Sequence, residues 1–103
     1  MNAEDDVLLD PVVPGEILQE EYLVPRALSQ VRLAEAMRVS PNRIAEIVHN
    51  RRRIIADTAL RLGLDFRTSP EFWPNLQTHY NLEGARVALT ADEAREIATR
   101  RVA

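Results

Sequence analysis

The sequence of 103 residues contains no cysteine, which excludes a disulfide framework, a thiol nucleophile and a cysteine-based zinc site. The only histidines are His49 and His79, and no nucleophile–base pair or metal cluster can be assembled around them. No apolar run approaches the roughly 18 residues that a membrane-spanning helix needs. The first residues do not show the charged stretch followed by an apolar stretch that is typical of a secretory signal peptide. We therefore expect a cytoplasmic protein with no metal, no cofactor and no enzymatic activity.

Lysine is also absent, so all 13 basic residues are arginine. Residues 1–28 carry seven acidic side chains and one arginine, a net charge of −6. Residues 29–53 carry six arginines and two glutamates, a net charge of +4. Arginine suits bidentate contacts with phosphate and guanine. A basic segment inside an acidic chain therefore indicates a localised site for a polyanion.

Apolar residues recur at helical spacing, and no segment of strand period is long enough to predict a strand. A first helix is expected from Pro14 to about Leu23, and Pro25 ends it because proline clashes with a continuing helix. Two further helices are expected over residues 29–37 and 41–49, each opened by a serine N-cap. The fold class is all-α, with five or six short helices.

In the second half of the chain, a fourth helix is expected from Ala56 to Phe66. One of its sides carries the residues predicted to face inward, namely Ala59, Leu60, Gly63 and Leu64. A fifth helix is expected to begin at Ser69-Pro70 and to fade near Asn81, with a kink or a late start at Pro74.

Beyond that point Gly84 is expected to break the chain. Thr90 and Glu93 have the spacing of a capping box, which predicts a last helix after Thr90. The predicted organisation is an acidic arm over residues 1–13, a helix-turn-helix domain over 14–83 and a helical extension over 84–103.

Residues 29–37 and 41–49 have the spacing of a helix-turn-helix, in which the second helix enters the DNA major groove. The start of that helix presents Asn42, which can pair with adenine, and Arg43, which can pair with guanine. One turn later, Glu46 either accepts from cytosine or repels phosphate at wrong sites. The further candidate DNA contacts lie around this helix and in the arginine run after it: Gln30, Arg32, Ser40, His49, Arg51, Arg52 and Arg53.

The fifth helix carries an aromatic-heavy face that is either core or part of a dimer interface: Phe72, Trp73, Leu76 and Tyr80. A two-fold homodimer would match a palindromic operator with half-sites one helical turn apart.

Several blocks of sequence between residues 14 and 83 together resemble the HigA antitoxins, helix-turn-helix proteins of the XRE family related to the phage repressors. The blocks are Pro14-Gly15-Glu16-Ile17-Leu18, Leu28-Ser29-Gln30, Leu33-Ala34, Val39-Ser40-Pro41-Asn42-Arg43-Ile44, Glu46-Ile47-Val48, Arg51-Arg52, Ala56-Asp57-Thr58-Ala59-Leu60-Arg61-Leu62, Thr68-Ser69-Pro70-Glu71-Phe72-Trp73 and Asn75-Leu76-Gln77.

The resemblance implies a bundle like that of lambda repressor. It also implies a dimer that binds an operator in its own promoter and neutralises HigB, a RelE-type toxin that cleaves mRNA on the ribosome. For DNA contact it points to Ser40, Asn42, Arg43 and Glu46.

The chain departs from the family pattern at turns where glycine is usual, and there it has Arg38, Asn50, Arg53 and Arg67. Asn50 is expected in the left-handed conformation, which asparagine tolerates. For Arg38 that conformation is strained, unless the turn relaxes.

Three functional hypotheses remain from the sequence. They are an antitoxin that is also an autorepressor, a stand-alone transcriptional regulator of the same fold, and an interaction module that no longer binds DNA. The acidic arm is either a solubilising tail or an anchor for a basic toxin surface. The last helix, with Ile97, Ala98 and Val102, suits dimerisation or toxin contact equally well.

Overall fold

The computed structural model describes residues 12–100, which form helices joined by short turns and contain no strand. The predicted all-α class is confirmed. The acidic arm predicted over residues 1–13 lies outside the described residues except for Val12 and Val13, as does Val102 of the last helix.

The first helix, α1, spans Pro14–Ile17 and continues without a break as a π-helical segment, Leu18–Leu23. The remaining helices are α2 (Gln30–Met37), α3 (Pro41–Val48), α4 (Ala56–Phe66), α5 (Phe72–Ala88) and α6 (Ala91–Arg100). None of them is both long and apolar enough to cross a membrane.

The predicted caps of α2, α3 and α6 are confirmed. Ser29 Oγ accepts from the Arg32 amide at 3.1 Å, and Ser40 Oγ accepts from the Arg43 amide at 3.3 Å. Before α6, Thr90 and Glu93 form the reciprocal bonds of a capping box. These caps satisfy amides that have no partner inside a helix, which is why they mark helix starts in the sequence.

The core lies between α1, the α2–α3 pair, α4 and the first half of α5. Its buried apolar residues are Leu18, Leu23, Leu33, Ala34, Met37, Ile44, Ile47, Ile54, Ala59, Leu62 and Trp73. Gly15 allows α1 to approach the end of α3, because a Cβ there would lie only 1.9 Å from the carbonyl oxygen of Ile47. The close packing therefore requires glycine at this position.

The predicted inner side of α4 is wrong for two of its four residues. Leu60 and Leu64 are 54% and 80% exposed. The buried side instead consists of Thr58, Ala59, Leu62 and Gly63. Leu62 and Thr58 turn inward because α4 also packs against α2 and α5, and this tertiary arrangement is not visible in the spacing alone.

The predicted end of the fifth helix is also wrong, because α5 does not fade near Asn81, whereas the late start expected from Pro74 is confirmed by the first helical residue, Phe72. Neither predicted cap forms a side-chain bond at its start, and the Phe72 amide donates to the Ser69 carbonyl at 3.2 Å. Pro74 falls in the first turn, where a missing amide hydrogen costs no helical bond. Gly84 does not break the helix, since one glycine costs only about 1 kcal/mol in a helix interior. The helix therefore crosses the predicted boundary between residues 83 and 84.

Three of the four turn positions where the family has glycine are left-handed. Arg38, Asn50 and Arg67 have φ angles of 60°, 59° and 59°, so the expectation for Asn50 is confirmed. The turn after α2 does not relax. Its geometry is fixed by the Val39 amide, which donates to the Ala34 carbonyl at 3.0 Å, and Arg38 bears the strain of about 1–2 kcal/mol.

Candidate nucleic-acid interface

Helix α3, the candidate recognition helix of the predicted helix-turn-helix, buries one side and exposes the other. Ile44 and Ile47 are buried in the core. Asn42, Glu46 and His49 are spaced by four and three residues, so they form a row along the opposite side of the helix. Asn42 and His49 are exposed. This row is the part of α3 that is available to a major groove.

Arg43 does not belong to this row. Its Nη1 donates to Asp57 Oδ2 at 2.8 Å and to Thr58 Oγ1 at 3.4 Å, and its side chain is only 29% exposed. The guanidinium is thus bound against α4 rather than directed at a base edge. The side chain thus has an intramolecular partner, and the predicted pairing of Arg43 with guanine stays a prediction that requires the guanidinium to leave Asp57.

Asp57 connects three helices through two arginines. Its Oδ2 also accepts from Arg61 Nε at 3.0 Å, and Arg61 Nη1 donates to the Met37 carbonyl at the end of α2 at 2.8 Å. The hydrogen bond from Arg43, followed by that from Arg61, lowers the pKa of the Asp57 carboxyl. The network therefore fixes the two helices of the helix-turn-helix relative to α4 while Asp57 is ionised.

A second pair engages two of the other predicted contacts. Glu46 Oε1 accepts from Arg52 Nε at 2.7 Å and from Arg52 Nη2 at 2.6 Å. The carboxylate of Glu46, in the row of Asn42, Glu46 and His49, is thereby paired with a cation. Since exposed pairs are worth about 0–1 kcal/mol, a DNA phosphate can compete with Glu46 for Arg52.

The remaining predicted contacts surround α3. Gln30 and Arg32 lie in the first turn of α2, and Arg32 is exposed. The oxygen of the Ser40 hydroxyl is the cap acceptor, which leaves its O–H to donate to a phosphate. His49 Nδ1 lies 2.8 Å from the Ala45 carbonyl, which leaves Nε2 as the free ring nitrogen. Arg51 and Arg53 are exposed and make no ion pair within residues 12–100.

The aromatic face of α5 is mainly core. Trp73 is 0% exposed, and its Nε1 donates to Thr68 Oγ1 at 3.2 Å. Its ring packs against those of Tyr22 and Phe72 at centroid distances of 5.0 and 4.9 Å. Trp73 is therefore a core residue, which is one of the two alternatives predicted for this face, and it offers no surface to a second chain.

The other members of that face are half-buried. Phe72 and Leu76 pack against the same core, and the Tyr80 hydroxyl accepts from Asn50 Nδ2 at 2.9 Å. The hydrogen bonds of Asp57, Arg61 and Gln77 were not among those predicted from the sequence. The four-residue spacing of Asp57 and Arg61 was a visible signal for their ion pair. No sequence signal marked Gln77, whose carbonyl oxygen accepts from the Ile54 amide at 2.9 Å.

No established family profile matches the chain. Virulence-associated protein I of Dichelobacter nodosus is 56% identical over 72 residues, which are 70% of this chain and 67% of that protein. The Pseudomonas aeruginosa antitoxin HigA, solved with the higBA promoter, is 46% identical with a TM-score of 0.74, covering 76% of this chain and 85% of that one. A HigA-family addiction module antidote protein from Coxiella burnetii is 38% identical with a TM-score of 0.75, covering 88% and 95% respectively.

The chain belongs to the HigA family of antitoxins. This confirms the resemblance drawn from the sequence blocks. The relatives are antitoxins and helix-turn-helix transcriptional regulators, not enzymes.

Proposed function

We propose that this HigA-family protein is an antitoxin that represses its own operon through operator binding by α3. We propose further that it acts as a homodimer in the bacterial cytoplasm, on the nucleoid when bound to DNA, and that it neutralises a HigB-type, RelE-like toxin by direct contact. The observation that carries the proposal is the exposed row on α3 that begins with Asn42 and is flanked by exposed arginines.

Base recognition in this proposal rests on Asn42. The residue is exposed in the first turn of α3. Its side-chain amide can donate from Nδ2 to adenine N7 and accept at Oδ1 from the adenine N6 amino group, which is the bidentate geometry that asparagine uses for adenine. The positive end of the helix dipole lies at the same end of α3 and favours the nearby phosphates. Arg32, Arg51 and Arg53 supply phosphate contacts that set the position of the helix on the duplex.

We propose the C-terminal helices, rather than the aromatic face of α5, as the homodimer interface. Helix α6 has ten residues and none of them is buried. Isolated helices of this length are marginal in water, so α6 needs a partner surface. Leu89 and Ile97 are both exposed and line a shallow pocket there, which a second copy of the chain can fill.

The toxin contact is supported by charge. Residues 1–28 carry a net charge of −6, and the described members of that acidic set, Glu16, Glu20 and Glu21, are exposed. Toxins that bind RNA are usually basic, so the sign of the charge is complementary.

A fluorescence-anisotropy titration tests the proposal. The probe is a promoter fragment from upstream of this chain's own gene. It is titrated at two salt concentrations, with and without the product of any small reading frame that adjoins the gene. Tight, salt-sensitive and selective binding that this product alters is the expected result, because phosphate contacts release counterions. Selective binding that is indifferent to the product contradicts the antitoxin role and leaves a stand-alone regulator. No selective binding at either salt concentration contradicts DNA recognition by α3.

A further inference from the structure

The arginine loop, residues 50–54, follows the recognition helix and is attached to α5 at both ends. At its start, Asn50 Nδ2 donates to the Tyr80 hydroxyl at 2.9 Å. At its end, the Ile54 amide donates to Gln77 Oε1 at 2.9 Å. The three arginines lie between these two attachment points. Helix α5 therefore restricts the segment that carries most of the predicted phosphate contacts.

The attachment at Gln77 is buried. Gln77 is 8% exposed and Ile54 is 4% exposed, and Gln77 Nε2 donates to Asn81 Oδ1 at 3.0 Å. That second bond fixes the orientation of the amide, so its oxygen stays directed at Ile54. Buried polar groups are almost always paired, and the backbone amide of Ile54 has no other acceptor among the described residues.

The attachment at Tyr80 depends on a special backbone conformation. Asn50 has a φ of 59°, and the Arg51 amide donates back to the Glu46 carbonyl at 2.7 Å. This tight closure of α3 turns the Asn50 side chain to Tyr80. The loop thus leaves the recognition helix in a defined direction before its arginines begin.

We propose that Tyr80 and Gln77 are positioning residues that hold the arginine loop ready for the DNA backbone. This inference rests on the proposed DNA-binding function and deepens it. Ordering a long side chain or a loop on binding costs affinity, and a loop that is already held avoids part of that cost. Neither residue touches DNA in this proposal. Both act through Arg51, Arg52 and Arg53.

The test uses Tyr80→Phe, which removes one hydroxyl, and Asn50→Gly, which removes the donor but keeps a residue that tolerates positive φ. Each variant should bind DNA about threefold to tenfold more weakly than the wild type. The loss should be equal on the promoter fragment and on a scrambled duplex, since phosphate contacts carry no sequence information. Tyr22→Phe is the matched control, because the Tyr22 hydroxyl makes no hydrogen bond within residues 12–100. It should leave DNA affinity unchanged.

A second set of variants distinguishes positioning of the loop from general destabilisation of the fold as the cause of any loss in DNA affinity. In a chain that carries Arg51→Ala, Arg52→Ala and Arg53→Ala, Tyr80→Phe should no longer change DNA affinity. An unchanged affinity of Tyr80→Phe in the wild-type background would overturn the inference. So would the same loss in both backgrounds. On the scrambled duplex the affinities of wild type and variants can be compared whether or not the protein selects its operator. Absence of operator selectivity in the wild type therefore contradicts the proposed function. The difference in affinity between wild type and variants tests the inference separately.

Discussion

Arg43 Nη1 donates to Asp57 Oδ2 across 2.8 Å and thereby ties the recognition helix to α4. Arg61 joins the same carboxylate to the last carbonyl of α2, that of Met37. The angle between the two helices of the motif is consequently set by a polar network as well as by apolar packing. A residue placed by the sequence among the base contacts has a structural task in the folded chain.

Asp57→Asn should lower the thermal midpoint of the protein near neutral pH. Because the two arginines depress the pKa of the folded carboxyl, its stabilising contribution is present above the unfolded value of about 3.9. The contribution is lost as the pH falls through the lower, folded pKa. Thermal midpoints measured from pH 7 down to pH 2 should show the gap between wild type and variant closing below about pH 4. Asp65→Asn, at an exposed position on the same helix, is the control, and a gap that stays constant with pH would refute the network's role.

Gly15→Ala should destabilise the fold by at least about 1–3 kcal/mol, the usual cost of overpacking. The added Cβ would lie 1.9 Å from the Ile47 carbonyl oxygen, so α1 and α3 must separate. Gly84→Ala is the matched control, because a Cβ there meets nothing within 4 Å. It should stabilise α5 by about 0.5–1 kcal/mol. Denaturant titrations of both variants measure the difference, and equal effects of the two substitutions would contradict the close approach at Gly15.

Trp73→Ala should cost about 3–5 kcal/mol of the free energy of unfolding, since it empties a fully buried site. Leu64→Ala, at an 80% exposed position, should change that free energy by no more than about 0.5 kcal/mol. The measurement is denaturant unfolding at several protein concentrations. A Trp73→Ala variant that folds stably but loses its self-association would restore Trp73 to a subunit interface.

Local signals in the sequence predicted the parts of the fold that local chemistry determines. Ser29, Ser40 and Thr90 each satisfy amides within three residues of themselves, so the helices that they begin were found at the correct positions. The left-handed conformation of Asn50 is also predicted from local chemistry, since asparagine is one of the few residues other than glycine that tolerate positive φ.

The contacts that no sequence pattern indicated join partners distant in sequence. Arg43 and Asp57 are separated by 14 residues, and Ile54 and Gln77 by 23, so no helical period connects them. The same holds for Trp73, whose aromatic neighbour Tyr22 lies in the first helical segment. Gly84 does not end α5, because the residues around it continue the helix and one glycine in a helix interior costs only about 1 kcal/mol.

The central claim is that the exposed row on α3 recognises bases through Asn42, while Arg43 positions the helix. The most direct measurement titrates wild type, Asn42→Ala and Arg43→Ala against the promoter operator and a set of single-base substitutions of it. Asn42→Ala should lose about 1–3 kcal/mol on the intact operator and become indifferent at one base pair. Arg43→Ala should keep the wild-type preference at every position. Retention of all preferences by Asn42→Ala, or loss of one by Arg43→Ala, would contradict this account.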